Sequence, residues 1–172
     1  MSGIPPLEAL VAREEIRRLP LRYAKAVEQR DVEAMVELFV PDARFGPFGE
    51  GPDALRAMMT DFLADSIVAV ILVANHLVEL DDADHAHGEV WARCFAQDAT
   101  AYTEQLLRYD DRYERRDGVW RFVHRRHRLW FGRRTDSPFD QDAADWPAAQ
   151  HGVGDVPLAD ERFRAWWEDR RS

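Results

Sequence analysis

The chain has 172 residues, of which 46% are hydrophobic and 32% charged, and its formal net charge is −9. That is the composition of a folded domain with a substantial core and a well-solvated surface. The acid excess argues against a nucleic-acid partner and against an anionic membrane surface. Cys94 is the only cysteine, so no internal disulfide forms. The opening MSGIPPLEAL lacks a basic stretch followed by an apolar one, and no apolar run reaches the roughly 18 residues of a membrane span, so a cytoplasmic location is expected.

Pro5 and Pro6 mark an entry loop, and a helical pattern starts at Leu7, with Leu10, Ile16, Leu19, Tyr23, Ala26 and Val27 recurring every three or four residues. Pro20 lies inside this run and predicts a kink or break near Arg17–Leu19. Asp31 is suited to cap a second helix over Val32–Val40, with Met35, Leu38 and Phe39 as its apolar stripe. Ala43–Phe48 reads as a short strand before the Gly49-Glu50-Gly51 loop. Pro52 opens a third, amphipathic helix carrying Leu55, Met58, Met59, Phe62 and Leu63.

Beyond Asp65 the pattern turns to strands: Ile67–Leu80, His87–Gln97, Thr100–Arg115 and Val119–Phe131, with turns at Asp81–Asp84 and Asp117-Gly118. Helices followed by a meander of long strands make an α+β arrangement. On the last strand, Val119, Val123, Leu129 and Phe131 fall on one side by alternation, and Trp120, Phe122 and Trp130 on the other. A sheet apolar on both faces is covered on both, by the helices and by a second subunit or the C-terminal tail. The domain is placed at residues 1–132; 133–172 reads as an irregular extension whose Asp160–Arg171 helix docks through Phe163, Trp166 and Trp167.

Three segments carry a family resemblance: RYAKAVEQRDVEAMVELFVPDARF, VANHLVELDDADHAHGEVW and RYDDRYERRDGVWRFVHRRHRLW, which together lie within about residues 8–132. They resemble the nuclear transport factor 2-like superfamily and, within it, the SnoaL-like group. The resemblance implies a cone: N-terminal helices packed on a curved antiparallel sheet around one pocket. Members include polyketide cyclases, scytalone dehydratase, ketosteroid isomerase, limonene epoxide hydrolase and hexachlorocyclohexane dehydrochlorinase. Dioxygenase β subunits share the fold without doing chemistry, so the fold leaves function to the site.

In dehydratase-like members an acid late in the first helix works with a histidine on the first long strand. Glu28 matches the acid, five residues after Tyr23. With Asn75 aligned to the asparagine usual in that strand, Ile71 stands where the histidine belongs. His76, five residues on, faces the other way unless a bulge intervenes. Arg125 aligns with a pocket arginine of the dehydrochlorinases, and such a group holds a developing oxyanion or a carboxylate. His127 faces the same way, as a substitute acid or base. A strict two-residue turn at Asp117-Gly118 places Asp110 opposite Arg125; an odd-length loop places Tyr109, Asp111 and Tyr113 beside it. An Asp111–Arg125 pair would be either functional or a structural cross-strand ion pair. The Asp81, Asp82, Asp84, His85 and His87 cluster has only part of a metal spacing, and no phosphate loop follows a strand, so neither metal nor cofactor is expected.

Two functions compete. One is a cofactor-independent enzyme that dehydrates, isomerises or cyclises a small apolar, polyketide- or steroid-like molecule. Its catalytic set is Glu28, Tyr23, His76, Arg125 and His127, with Ile71, Asn75, Tyr109 and Asp111 contacting substrate. The other is a non-catalytic binding or oxygenase β-subunit-like assembly protein. Both are expected to form a homodimer through the sheet.

Overall fold

The computed structural model describes residues 4–136 together with residues 161, 165, 168 and 169. Helix α1 spans Pro6–Gln29, α2 Val32–Val36 and α3 Gly51–Leu63; strands β1 Val68–Leu80, β2 His85–Gln97, β3 Tyr102–Arg116 and β4 Val119–Thr135 follow. The strands form one antiparallel sheet in sequential order.

α1 buries Ala12, Ile16, Leu19, Ala24 and Val27 against the sheet, and Arg30 closes it in the left-handed conformation. Its side chain then donates to the carbonyls of Ser66 and Ile67 at 3.2 and 2.7 Å, tying the end of α1 to the start of β1. Of the kink or break expected at Pro20, the break does not occur; the helix is continuous through it. An interior proline costs about 3 kcal/mol. Here Ile16 and Leu19 before it and Ala26 and Val27 after it are buried in the same core, and that shared burial outweighs the lost hydrogen bond.

Asp31 does cap α2, accepting from the Ala34 amide at 3.1 Å. The helix is shorter than expected because Leu38, Phe39 and Val40 are all buried, a run too continuous for one helical stripe. That segment instead lies along β4: the Val40 amide donates to the Phe122 carbonyl at 2.9 Å and the Phe122 amide to the Leu38 carbonyl at 2.8 Å. The strand expected at Ala43–Phe48 reduces to one bridge, Arg44 to Glu50, and a 3-10 turn over Gly46–Phe48. Gly46 at φ 57° and Pro47, which has no amide proton, prevent extended pairing there.

Asp117 and Gly118 both have positive φ, 53° and 76°, as a tight two-residue hairpin turn requires. The sheet owes its shape to three irregularities. Ala74 and Asn75 together oppose one residue of β2, and Val123 and Trp130 are each an extra residue in β4 against β3. The expected alternation of β4 is therefore wrong beyond Phe122. Trp120 and Phe122 are buried in the core, whereas Trp130 stacks edge-on against Trp91, with ring centroids 5.1 Å apart. β4 also runs on to Thr135, so the sheet extends past residue 132. The docking face expected of Asp160–Arg171, with Phe163, Trp166 and Trp167, lies outside the described residues; residues 161, 165, 168 and 169 are helical and exposed.

Candidate active site

Between α1, α3, the segment after α2 and the inner sheet face lies a cavity of about 590 Å³. Its walls include Phe39, Phe45, Met58, Met59, Phe62 and Ile71, with Tyr23, Cys94, Tyr109, Arg125 and His127 supplying polar groups. No aspartate or glutamate lines it among the described residues.

Arg125 is the centre of the site. The extra residue Val123 puts Asp111 directly opposite Arg125, although the turn is a strict two-residue one. The Arg125 Nε donates to Asp111 Oδ1 at 3.0 Å and its Nη2 to Oδ2 at 2.9 Å, a bidentate pair. The Asp111 side chain is fully buried and that of Arg125 is 6% exposed. Three rings surround the guanidinium: Tyr109, Phe122 and Tyr23, at 4.0, 4.5 and 4.8 Å from their centroids. Burial pushes the Asp111 carboxyl up while the guanidinium pulls it down, and the charge of Asp111 holds Arg125 above its ordinary value.

Behind this pair the hydrogen-bond chain continues. The Tyr113 hydroxyl donates to Asp111 Oδ2 at 3.0 Å and lies 3.0 Å from His76 Nε2. With the phenol proton on Asp111, the imidazole approaches Tyr113 as a donor through Nε2–H. The Ala74–Asn75 bulge turns His76 to the same face as Ile71, since Ile71, Val73 and His76 oppose Cys94, Ala92 and Val90 in turn. Gly88 lets β1 come this close: a Cβ there would meet the Leu77 carbonyl oxygen at 2.4 Å, while His76 Nε2 at 3.5 Å would be in ordinary contact.

Burial, then the charges of Arg125 and Arg17, pull the His76 pKa down from 6.5 to about 4. The unfolded chain protonates this group near 6.5 and the folded one only near 4, so the unfolded state binds more protons in between. Stability must therefore fall as pH drops from about 6.5 to 4. The ring is only half-buried, so solvent screening limits the loss to about 1–2 kcal/mol. Urea midpoints at pH 7 and 4.5 should show a smaller difference in His76→Gln than in wild type; equal differences would count against this origin.

The other candidates divide by position. Ile71, Tyr23, Tyr109 and His127 line the cavity with Arg125. Tyr109 and His127 meet edge to face, with ring centroids 5.8 Å apart. His127 is exposed at the rim, and partial burial of its ring lowers its pKa, favouring neutral imidazole. Burial raises the pKa of both phenols and pushes the Cys94 thiol up to about 11, so all three keep their protons. Asp111 and His76 lie behind the lining rather than in it, and Asn75 is exposed at the bulge. Glu28 is also outside the cavity: it is exposed and pairs with Lys25 at 3.0 Å. It shares the solvent face of α1 with Leu21 and Lys25, while Tyr23 and Val27 face the cavity.

Sequence reasoning placed Tyr113 beside Arg125 in one of two registers without giving it a role, and missed Gly88. A glycine in the middle of a strand is a signal of close packing that pointed to Gly88. His85 and His87 form local pairs with Asp82 and Asp81 at 3.0 and 2.8 Å. Among the described residues no group of three or more histidines, cysteines or acids gathers in metal-binding geometry. No helix among them is long and apolar enough to cross a membrane.

The family model of the SnoaL-like domain matches residues 8–126, from α1 through the bulged part of β4. The chain belongs to the SnoaL-like domain family. Solved structures agree on the cone-shaped nuclear transport factor 2-like fold. A type 3 hexachlorocyclohexane dehydrochlorinase from Novosphingobium barchaimii LL02 matches this SnoaL-like domain with a TM-score of 0.72 at 20% identity, covering 80% of this chain and 100% of that one. A protein of unknown function from Mycobacterium tuberculosis matches at 0.64 and 22%, covering 97% and 91%. A nuclear transport factor 2-like protein with a cystatin-like fold from Novosphingobium aromaticivorans matches at 0.60 and 25%, covering 72% and 85%. No curated protein matches the chain in sequence.

Proposed function

We propose that this SnoaL-like domain is a cofactor-independent enzyme that moves a proton on a small, largely apolar molecule held in the cavity. The dehydrochlorinase among the similar structures supports chemistry in a cavity of this kind. The observation that carries the reading is the placing of Arg125 and His127 on one cavity wall, opposite Asp111 and Tyr109 of β3. His127 is the base, since a neutral imidazole accepts a proton near neutral pH. Arg125 holds the oxyanion that forms, and Tyr23 and Tyr109 donate from either side of it. Glu28, paired with Lys25 at the surface, has no part in this scheme.

Proton–deuterium exchange next to the carbonyl of a panel of bicyclic and tricyclic ketones, followed by NMR in heavy water, tests it. Wild type should accelerate exchange for at least one ketone, and His127→Gln should lose tenfold or more of that rate while Glu28→Gln keeps it. Exchange unchanged in His127→Gln would remove the base. The second reading, binding without turnover, is favoured by Ile71 on the cavity wall at the position of the family's histidine. Ketones that bind without exchange would establish it.

A homodimer through the outer sheet face accompanies either reading. Leu72, Leu77, Trp130 and Phe131 stand 54–66% exposed there, and a second copy would cover them. Sedimentation equilibrium at micromolar concentration should give twice the chain mass; a monomer would leave the face to the tail.

A further inference from the structure

The cavity has a charge character unlike that of the rest of the chain. The sequence carries 32 acidic residues against 23 basic ones, yet among the described residues none of the acids lines the cavity. The charged side chain buried in its wall is Arg125, which is always protonated. Asp111 engages the Nε and Nη2 edge of its fork. Nη1 has no hydrogen-bond partner among the described residues, and the Arg125 side chain lines the cavity.

We propose that the ligand is an apolar ring compound bearing one anionic oxygen, a carboxylate or a phenolate, seated on Nη1 of Arg125. This rests on the reading of the cavity as the ligand site and names what that site selects. Nη1 is not sealed in the protein, so its N–H groups are open to an acceptor, and a charged acceptor satisfies them better than a neutral one. The rings of Tyr109, Phe122 and Tyr23 pack on the guanidinium and its side chain is only 6% exposed, so the attraction is less screened than in open water. Asp111 offsets the arginine charge from the opposite edge of the fork, so an oxygen on Nη1 lies nearer the cation than the carboxylate.

The two cavity phenols add to the argument. Among the described residues the Tyr23 hydroxyl donates to Met59 Sδ, at 3.9 Å, and Tyr109 lines the cavity beside Cys94. Sulfur is a weak acceptor, so the Tyr23 hydroxyl gains by turning to an oxyanion, and the Tyr109 hydroxyl, in the same wall, is a second donor for it. The remaining walls, with Phe39, Met58 and Phe62, suit a flat ring system.

Equilibrium binding to the full chain tests the proposal with two matched pairs: 2-naphthoate against 2-naphthamide, and 4-nitro-1-naphtholate against 1-nitronaphthalene. At least one anion should bind tenfold or more tightly than its neutral partner, and the pair that shows it distinguishes carboxylate from phenolate. Tyr109→Phe, which keeps the ring over Arg125, should weaken that anion three- to tenfold and leave the neutral probe unchanged. In the double variant Asp111→Leu with Arg125→Met the preference should vanish. Neutral probes binding as tightly as both anions would overturn the proposal while leaving the cavity as a ligand site. Failure of all four probes to bind would overturn the cavity reading and the proposal with it.

Discussion

Replacing Asp111 with asparagine should cost about 3–5 kcal/mol of folding stability, among the largest losses a single substitution causes here. The substitution keeps shape and volume but removes the one carboxylate that faces the buried Arg125 guanidinium in a bidentate pair. The arginine cannot shed its proton, and its side chain is only 6% exposed, so the charge stays buried without compensation. Urea unfolding at pH 7 measures the loss. The companion experiment separates a stabilising pair from a merely mutually compensated one. Asp111→Leu with Arg125→Met places two apolar chains where the ions were, and desolvation of two charges is avoided. That double variant should fall within about 1 kcal/mol of wild type, or above it. Tyr113 would keep His76 as its partner. If Asp111→Asn alone costs less than about 1 kcal/mol, water reaches the pair and the buried reading is wrong.

The second large effect is expected at Gly88. Its role does not rest on a left-handed backbone, because only space is at issue: an added Cβ lies 2.4 Å from the Leu77 carbonyl oxygen. That oxygen belongs to the backbone of β1, so relief requires β1 and β2 to part. Overpacking of this kind costs about 1–3 kcal/mol. The methyl group itself would sit in ordinary contact with Tyr113 at 3.4 Å and His76 at 3.5 Å; it is the parting of β1 at Leu77, next to His76, that disturbs the support behind Asp111. Gly88→Ala should therefore lower the urea midpoint and also reduce binding of any cavity ligand. Gly132→Ala is the control, since its nearest neighbours lie 3.6 Å away, and it should be close to neutral. Equal behaviour of the two alanine variants would show that β1 yields freely at Leu77.

What the sequence disclosed follows from how local each signal is. The four strands and the Asp117-Gly118 turn are encoded by runs of apolar residues and by one dipeptide that accepts positive φ, and the strand ends fall within a few residues of expectation. The facing of individual side chains was harder, because it depends on counting, and a single extra residue reverses it. Neither Ala74–Asn75 nor Val123 carries the glycine that often marks a bulge, so the turn of His76 toward Ile71 and of Arg125 toward Asp111 stayed conditional on a register the sequence does not display. Pro20 misled in the opposite direction, since its local cost is real but is outweighed by burial of residues on either side of it. Glu28 was placed by likeness to relatives. Its own helix geometry, three residues beyond Lys25, instead sets it in a surface ion pair.

The extra residue Val123 makes chain length, as much as residue identity, a determinant of the cavity wall. Pairing counts outward from the hairpin turn. Excising Val123 would leave Asp111 facing Arg125 and Tyr109 facing His127, because the slip it absorbs would disappear with it. The strand would merely lose the local bend and added twist that a bulge gives. Excising Arg126 would instead leave Arg125 in place and swing His127 to the outer side of the sheet. β4 thus behaves as a vernier: at Val123, as at Trp130, length can change at little consequence to the pairing, whereas in the stretch between them each residue sets the phase of those that follow.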